Sequence, residues 1–167
     1  ILKLDDNYAL TGTVTGAGTI VQVKNVQRGD MITGTSQIAA DDTIPQQSEG
    51  TEILTLEITP TSASNKLLIE IIFFGSSSAT SVLTPCLFQD STAGAIASVT
   101  KYTEEGTGTA TISLNHYMTA GTTSATTFKV RVGVNAGTLT LNGYSGGRKL
   151  GGVAASSMTI TEIAVWR

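Results

Sequence analysis

In a chain of 167 residues only 14% are charged and 5% are aromatic, the net charge is −3 and the ten lysines and arginines are scattered, so neutralising the phosphates of a nucleic acid is not expected. A single cysteine, Cys86, rules out an intrachain disulfide, and with a single histidine it leaves no zinc cluster. No apolar run approaches the ~20 residues that cross a bilayer as a helix, so membrane insertion is not expected.

The length suits one domain. Threonine and serine make up about a quarter of the residues, taking the place of the missing charges. Threonine is β-branched and keeps a hydroxyl on the wet face, so this composition favours pleated, half-buried structure. Residues 1–19 form the first unit. Leu10–Gly18 (LTGTVTGAG) is almost pure Thr and Gly and has little to bury, so it reads as an extended linker or the end of a shaft. The chain also lacks a starting Met, as expected of a fragment or a processed form.

From residue 20 to 167 the sequence reads as a single β-sandwich domain with almost no helix. Short runs of period-2 alternation recur between Gly, Ser, Asn and Asp, and no sustained 3.6-residue pattern appears. Ile20–Val26 is the first strand. Residues 39–49 form a loop, extended ahead of Pro45. Gly50–Thr59 places Leu54, Leu56 and Ile58 on one face, and Pro60 ends it. Lys66–Phe74 is apolar on both faces: Ile69, Ile71 and Phe73 on one, Leu68, Ile72 and Phe74 with Glu70 on the other. One sandwich core covers only one of these faces, so Leu68, Ile72 and Phe74 are candidate subunit-interface residues. Leu83–Gln89 and Ala95–Tyr102 flank a hairpin loop at Asp90–Gly94. Thr109–Met118 follows. Phe128–Val134 alternates strictly, with Phe128, Val130, Val132 and Val134 inward and Lys129 and Arg131 outward. Thr138–Leu141 turns Leu139 and Leu141 inward. Gly143–Gly152 is a glycine-rich inter-strand loop at one end of the sandwich, and Ser156–Trp166 closes the fold. About nine strands at this spacing form an antiparallel two-sheet sandwich.

No residue constellation points to catalysis, and no metal or cofactor is expected. His116 alternates with Ile112 and Leu114 and reads as a structural histidine with a partner. The acidic pairs Asp5-Asp6, Asp41-Asp42 and Glu104-Glu105 read as solvated turns rather than as two carboxyls facing across a groove. Cys86 lies in the apolar run Val82–Phe88 and reads as a buried small hydrophobe. The glycine-rich loop lacks the Gly-Lys-Ser/Thr core of a phosphate loop. It carries Tyr144, Arg148 and Lys149 on a glycine frame, which makes these three the candidate receptor-binding residues. Trp166, the only tryptophan, is a further candidate for the subunit interface.

Several stretches resemble a widespread family of tailed-bacteriophage tail-fibre and virion structural proteins. They are Asp41–Gln46 (DDTIPQ), Glu49–Glu52 (EGTE), Leu54–Leu56 (LTL), Ile58–Pro60 (ITP), Ser62–Ile69 (SASNKLLI), Leu87–Ala93 (LFQDSTA), His116–Val132 (HYMTAGTTSATTFKVRV) and Ser156–Glu162 (SSMTITE). The resemblance covers about residues 20–165 and is to the C-terminal domain of those proteins. It implies a jelly-roll sandwich like a tumour-necrosis-factor-like head, usually a homotrimer on a fibre, and it brings no catalytic residue. The expectation is therefore a non-enzymatic virion component, a distal fibre head that binds a host-surface glycan or protein. Its partners would be copies of itself and other virion proteins reached through the N-terminal segment. An architectural role without receptor binding, as a decoration or a collar- or sheath-associated subunit, is the alternative.

Overall fold

The computed structural model describes residues 18–104 and 108–165. The expected linker therefore lies outside the described residues except for its last two, Gly18 and Thr19. Gly18 N–H donates to Ala164 O, and Ala164 N–H donates to Thr19 O, so the chain enters the domain already paired to its last strand.

Thirteen strands are described: β1 (Ile20–Arg28), β2 (Thr33–Gly34), β3 (Thr51–Ile58), β4 (Lys66–Ser77), β5 (Ser81–Gln89), β6 (Ala97–Ser98), β7 (Lys101–Thr103), β8 (Thr109–Thr119), β9 (Thr126–Val134), β10 (Leu139–Leu141), β11 (Gly143–Tyr144), β12 (Gly147–Arg148) and β13 (Ser156–Ile163). All pairings are antiparallel. The first sheet runs β1-β13-β4-β8, and β2 and β10 extend it at one end. The second runs β3-β9-β5, with β6 and β7 both on the far side of β5. Counting β1 with β2, β6 with β7 and β10 with β13 as single interrupted strands, and leaving out the hairpin β11–β12, the chain order is 1-8-3-6 in one sheet and 2-7-4-5 in the other. That order is two Greek keys wrapped into a jelly roll, as expected.

Alternation explains the core. Leu67, Ile69, Ile71 and Phe73 of β4 in one sheet and Phe128, Val130, Val132 and Val134 of β9 in the other point into one core, all with 1% exposure or less. Each such side chain contributes roughly 2–3 kcal/mol by leaving water. Leu139 and Leu141 are buried as expected.

Pro85 sits in the middle of β5, where a proline costs a ladder bond. Its carbonyl accepts from Val99 N–H and from Ser98 Oγ, so its missing N–H faces the same side. That is the point where the expected strand Ala95–Tyr102 breaks into β6 and β7. Residues 35–50 form a strap over the outer face of the second sheet. Ile38 packs there with Cys86, Phe88 and Ala95 as a second, small core. Gly133 is what lets it lie so close, because a Cβ there would stand 2.4 Å from the Cβ of Ile38. Phe88, mid-strand on the outward side, is fully buried for this reason.

At the entry end Glu162 of β13 is fully buried. Its Oε1 accepts from Thr61 N–H (2.8 Å), Thr61 Oγ1 (2.8 Å) and Asn65 Nδ2 (2.6 Å), and its Oε2 accepts from Gln22 Nε2 (2.6 Å). Gln22 Nε2 also donates to Thr59 O. One carboxylate thus ties β1, the β3–β4 loop and β13 together. Burial pushes this carboxyl up, but the hydrogen bonds from Gln22, Asn65 and Thr61 outweigh it and hold its pKa below the usual 4.5. A depressed folded value contributes stability above the unfolded pKa, and that stability is lost as the pH falls through the folded one. Glu162→Gln should therefore flatten the acid limb of a stability-against-pH curve below 4.5. It should also cost about 2 kcal/mol at neutral pH, because an amide nitrogen would face donors. Denaturant titrations across that range check both; an unchanged acid limb would mean that this carboxylate is not the group responsible.

The outward face of the first sheet carries Leu68, Glu70, Ile72 and Phe74 on β4. Leu68 lies between Thr161 and Tyr117, Glu70 between Thr159 and Asn115, and Ile72 between Ser157 and Ser113. Ile72 is 39% exposed, while Leu68 and Phe74 are half-buried. Leu68, Ile72 and Phe74 share one face that the described residues leave partly uncovered. Trp166 lies outside the described residues.

Candidate functional site

The glycine-rich segment is not a loop at the end of the sandwich, as its composition suggested. Leu141 pairs with Gly75 and Ser157 with Ile72, so β10 and β13 are two pieces of one strand running down β4. Residues 143–155 are extruded from it at the matching break between β1 and β2. The break lies about 30 Å along β1 from the entry, from nine residues at ~3.3 Å each. The extruded chain forms the hairpin β11–β12, closed by Ser145 and Gly146 with φ of 52° and 66°. Positive φ at both central residues is the type I′ turn that matches strand twist. A 3₁₀ turn, Leu150–Gly152, then leads back to β13.

Asn142 anchors the extrusion. It is fully buried, with φ of 55°, a left-handed conformation that asparagine tolerates. Its Nδ2 donates to Arg28 O (2.7 Å) and Asp30 O (2.8 Å), and its Oδ1 accepts from Ser156 Oγ (2.9 Å). Its N–H donates to Phe74 O, and its carbonyl accepts from Lys149 N–H. One side chain holds both lips of the β1–β2 break and the start of β13. Gly29 and Gly152 close the contact, since a Cβ on Gly29 would stand 2.1 Å from Gly152 O.

The structure brings the three expected receptor-binding residues together on this hairpin. Lys149 Nζ stands 4.1 Å from the centroid of the Tyr144 ring, so one face of the ring is already occupied by a cation. Arg148 is exposed. Among the described residues neither Arg148 nor Lys149 has a carboxylate within ion-pair distance; the pairs formed are Arg28–Asp30 and Arg131–Glu52. Leu150 and Val153 on the same segment are 72% and 85% exposed.

Beside the hairpin, a shallow cleft of about 410 Å³ runs between the edges of β1 and β3, lined by residues 26–30 and 52–55. Arg28 crosses it: Nη1 donates to Ile53 O (3.0 Å), and Nε donates to Asp30 Oδ1 (2.7 Å). That hydrogen bond holds the Asp30 carboxyl below the usual carboxylate range, and the charge of Arg148 acts in the same direction. Sequence reasoning missed Arg28, Asp30 and Asn142. The only local signal was the Asn-Gly and Ser-Gly pairs at 142–143 and 145–146, which mark turns.

The remaining candidates stand apart from this site. His116 is half-buried on β8 opposite Ile69, and it lacks the expected partner among the described residues. Asp41 caps its own turn, accepting from Thr43 N–H and Oγ1; Asp5, Asp6 and Glu105 lie outside the described residues. Cys86 is fully buried, and its burial pushes the thiol pKa up. Among the described residues no three metal-ligating side chains come together.

No protein-family model matches the chain, and no curated protein does. Among solved structures, 91% of the chain is similar to 14% of the chain of dimeric latent PorU from Porphyromonas gingivalis, at 7% identity and a TM-score of 0.41. Likewise 87% of it is similar to 37% of a chain in the structure of infectious bursal disease virus, Gx strain, at 15% identity and 0.41. A third likeness joins 74% of it to 19% of the enzymatically active domain of tailspike protein 4 of bacteriophage CBA120, at 16% identity and 0.32. The chain spans between 14% and 37% of the length of these proteins.

Proposed function

We propose that this chain is a non-enzymatic structural protein of a virion, the outward head of a bacteriophage fibre, and that its extruded hairpin touches the host surface. The observation that carries this reading is the extrusion itself. The jelly roll would close if β10 and Asn142 ran straight into β13, so the sandwich does not need residues 143–155. Those residues expose Tyr144, Arg148, Leu150 and Val153 instead of adding to the core. A segment that the fold holds rigidly by Asn142 but does not use for packing is suited to contact with something else. The sequence resemblance to phage fibre proteins over about residues 20–165 supports the virion setting. The N-terminal segment enters about 30 Å away along β1, which suits attachment to the rest of a particle. The outward-facing apolar residues Leu68, Ile72 and Phe74 suit copies of the same chain, as a homotrimer.

The double substitution Tyr144→Ala with Arg148→Ala tests the reading. Labelled protein is bound to a panel of bacterial cells, and strains that retain the wild type are then challenged with the variant. Binding should fall at least about tenfold, the worth of a lost charge-assisted contact, with sedimentation and melting unchanged. If the oligomer dissociates instead, the hairpin is a subunit contact and the architectural role is favoured. If nothing changes, the hairpin is not the contact site.

A further inference from the structure

Arg28 and Asp30 have hydrogen-bonding capacity left over. Arg28 uses Nε on Asp30 Oδ1 and Nη1 on Ile53 O; among the described residues its Nη2 has no partner, and Asp30 Oδ2 accepts from no other residue. Their side chains are 38% and 59% exposed. A planar donor and a planar acceptor, locked side by side in a cleft, match two neighbouring hydroxyls: one accepts from the guanidinium and the other donates to the carboxylate. The lock matters, because the Asp30 and Ile53 contacts leave Arg28 little freedom to lose on binding.

The surrounding charge adds a second requirement. Arg148 lies near enough to act electrostatically on Asp30, and Gly152 lies against Gly29 at the mouth of the cleft. A Cβ on Gly152 would stand 2.9 Å from Arg148 Nη1, so that guanidinium rests on bare backbone beside the cleft. Arg148 and Lys149 have no carboxylate partner among the described residues, in a chain whose net charge is −3. Two cations held next to a hydroxyl-reading pair, neither within ion-pair distance of a carboxylate among the described residues, call for an anion on the same ligand.

We propose that the cleft between β1 and β3, together with the hairpin cations, binds an acidic saccharide, with a vicinal diol on Arg28 and Asp30 and a carboxylate or phosphate on Arg148 and Lys149. The inference rests on the host-contact reading above and names the class of ligand that the contact takes.

Three polymers separate the requirements: polygalacturonate (diol and carboxylate), polyacrylate (carboxylate without diol) and dextran (diol without anion). A phosphomannan replaces carboxylate by phosphate, to tell the two anion sources apart. The wild-type protein should bind polygalacturonate or phosphomannan more tightly than the other two. Asp30→Ala and, separately, Arg148→Ala with Lys149→Ala should each weaken that binding at least about tenfold. Asp30→Ala removes only an exposed side chain, and an unchanged melting temperature confirms that it folds. Equal binding of polyacrylate, or an Asp30→Ala variant that binds as the wild type does, overturns the diol site. Failure of all four polymers overturns the ligand class. If cells still lose the Tyr144→Ala, Arg148→Ala variant, host contact stands without it. If a polymer binds as expected but no cell does, the saccharide cleft stands and the host-contact reading falls.

Discussion

Substituting aspartate for Val132 should leave the domain largely unfolded at ambient temperature. Val132 has no exposed surface, and it lies on the inward side of β9, the central strand of its sheet, between Thr51 of β3 and Pro85 of β5. Strands on both sides and the first sheet above leave the new carboxylate no route to solvent. An unpaired charge in such a place costs about 5 kcal/mol or more even after it takes up a proton. That is comparable with the whole stability of an ordinary domain. Val132→Ala separates charge from volume, since it leaves only a small cavity and should cost about 2 kcal/mol. Circular dichroism with urea titration reads both. A Val132→Asp protein that melts with the wild type would reverse the register of β9 and with it the assignment of the core.

Asn142→Asp should lower stability by about 4 kcal/mol although it changes a single atom. The amide donates to the carbonyls of Arg28 and Asp30. An aspartate oxygen in that place faces two carbonyl oxygens as an acceptor, and it is fully buried. Two lost bonds and a buried charge set the magnitude, and for a domain of this size the melting temperature should fall by roughly 10 °C. Burial among acceptors raises the folded pKa of this aspartate, so the deficit should narrow as the pH falls through that raised value toward the unfolded one of about 3.9, where a protonated acid regains one donor. Because Asn142 holds both sides of the β1–β2 break, the variant should also free the hairpin. Amide hydrogen exchange would then rise first over residues 143–155 and not in β9. Uniform exchange, or a melting temperature within about 2 °C of the wild type, would mean that Asn142 does not anchor the extrusion.

Both variants bear on what could be read before the structure. The position of Val132 was legible, because Phe128–Val134 alternates apolar and polar over consecutive residues, and a strand buried on one face imposes that period locally. The two-faced character of Lys66–Phe74 was legible for the same reason, and β4 keeps Ile69, Ile71 and Phe73 inside with Leu68, Ile72 and Phe74 outside. The role of Asn142 was not legible. The partners of its amide nitrogen lie more than a hundred residues away in sequence, and no local pattern announces that Arg28 and Asp30 have unfilled carbonyls. The full burial of Phe88 on an outward position was equally hidden, since it depends on Ile38 lying against a bare Gly133.

The candidate site divides along the same line. Tyr144, Arg148 and Lys149 stood out by composition, as an aromatic and two cations among glycines. Their setting in a hairpin extruded from the side of a sheet, beside an Arg28–Asp30 pair, did not. Whether β10 and β13 are one strand or two depends on their common partner β4, and pairing is a property of distant segments. By itself the sequence determined that the chain is all-β, which strand residues face inward and that residues 143–152 form a glycine-rich inter-strand segment, because alternation and turn residues act over a few neighbours. The tertiary structure alone decided where that segment leaves the sheet and which distant side chains meet it, because strand continuity and the filling of buried donors and acceptors are settled only once the two sheets close on each other.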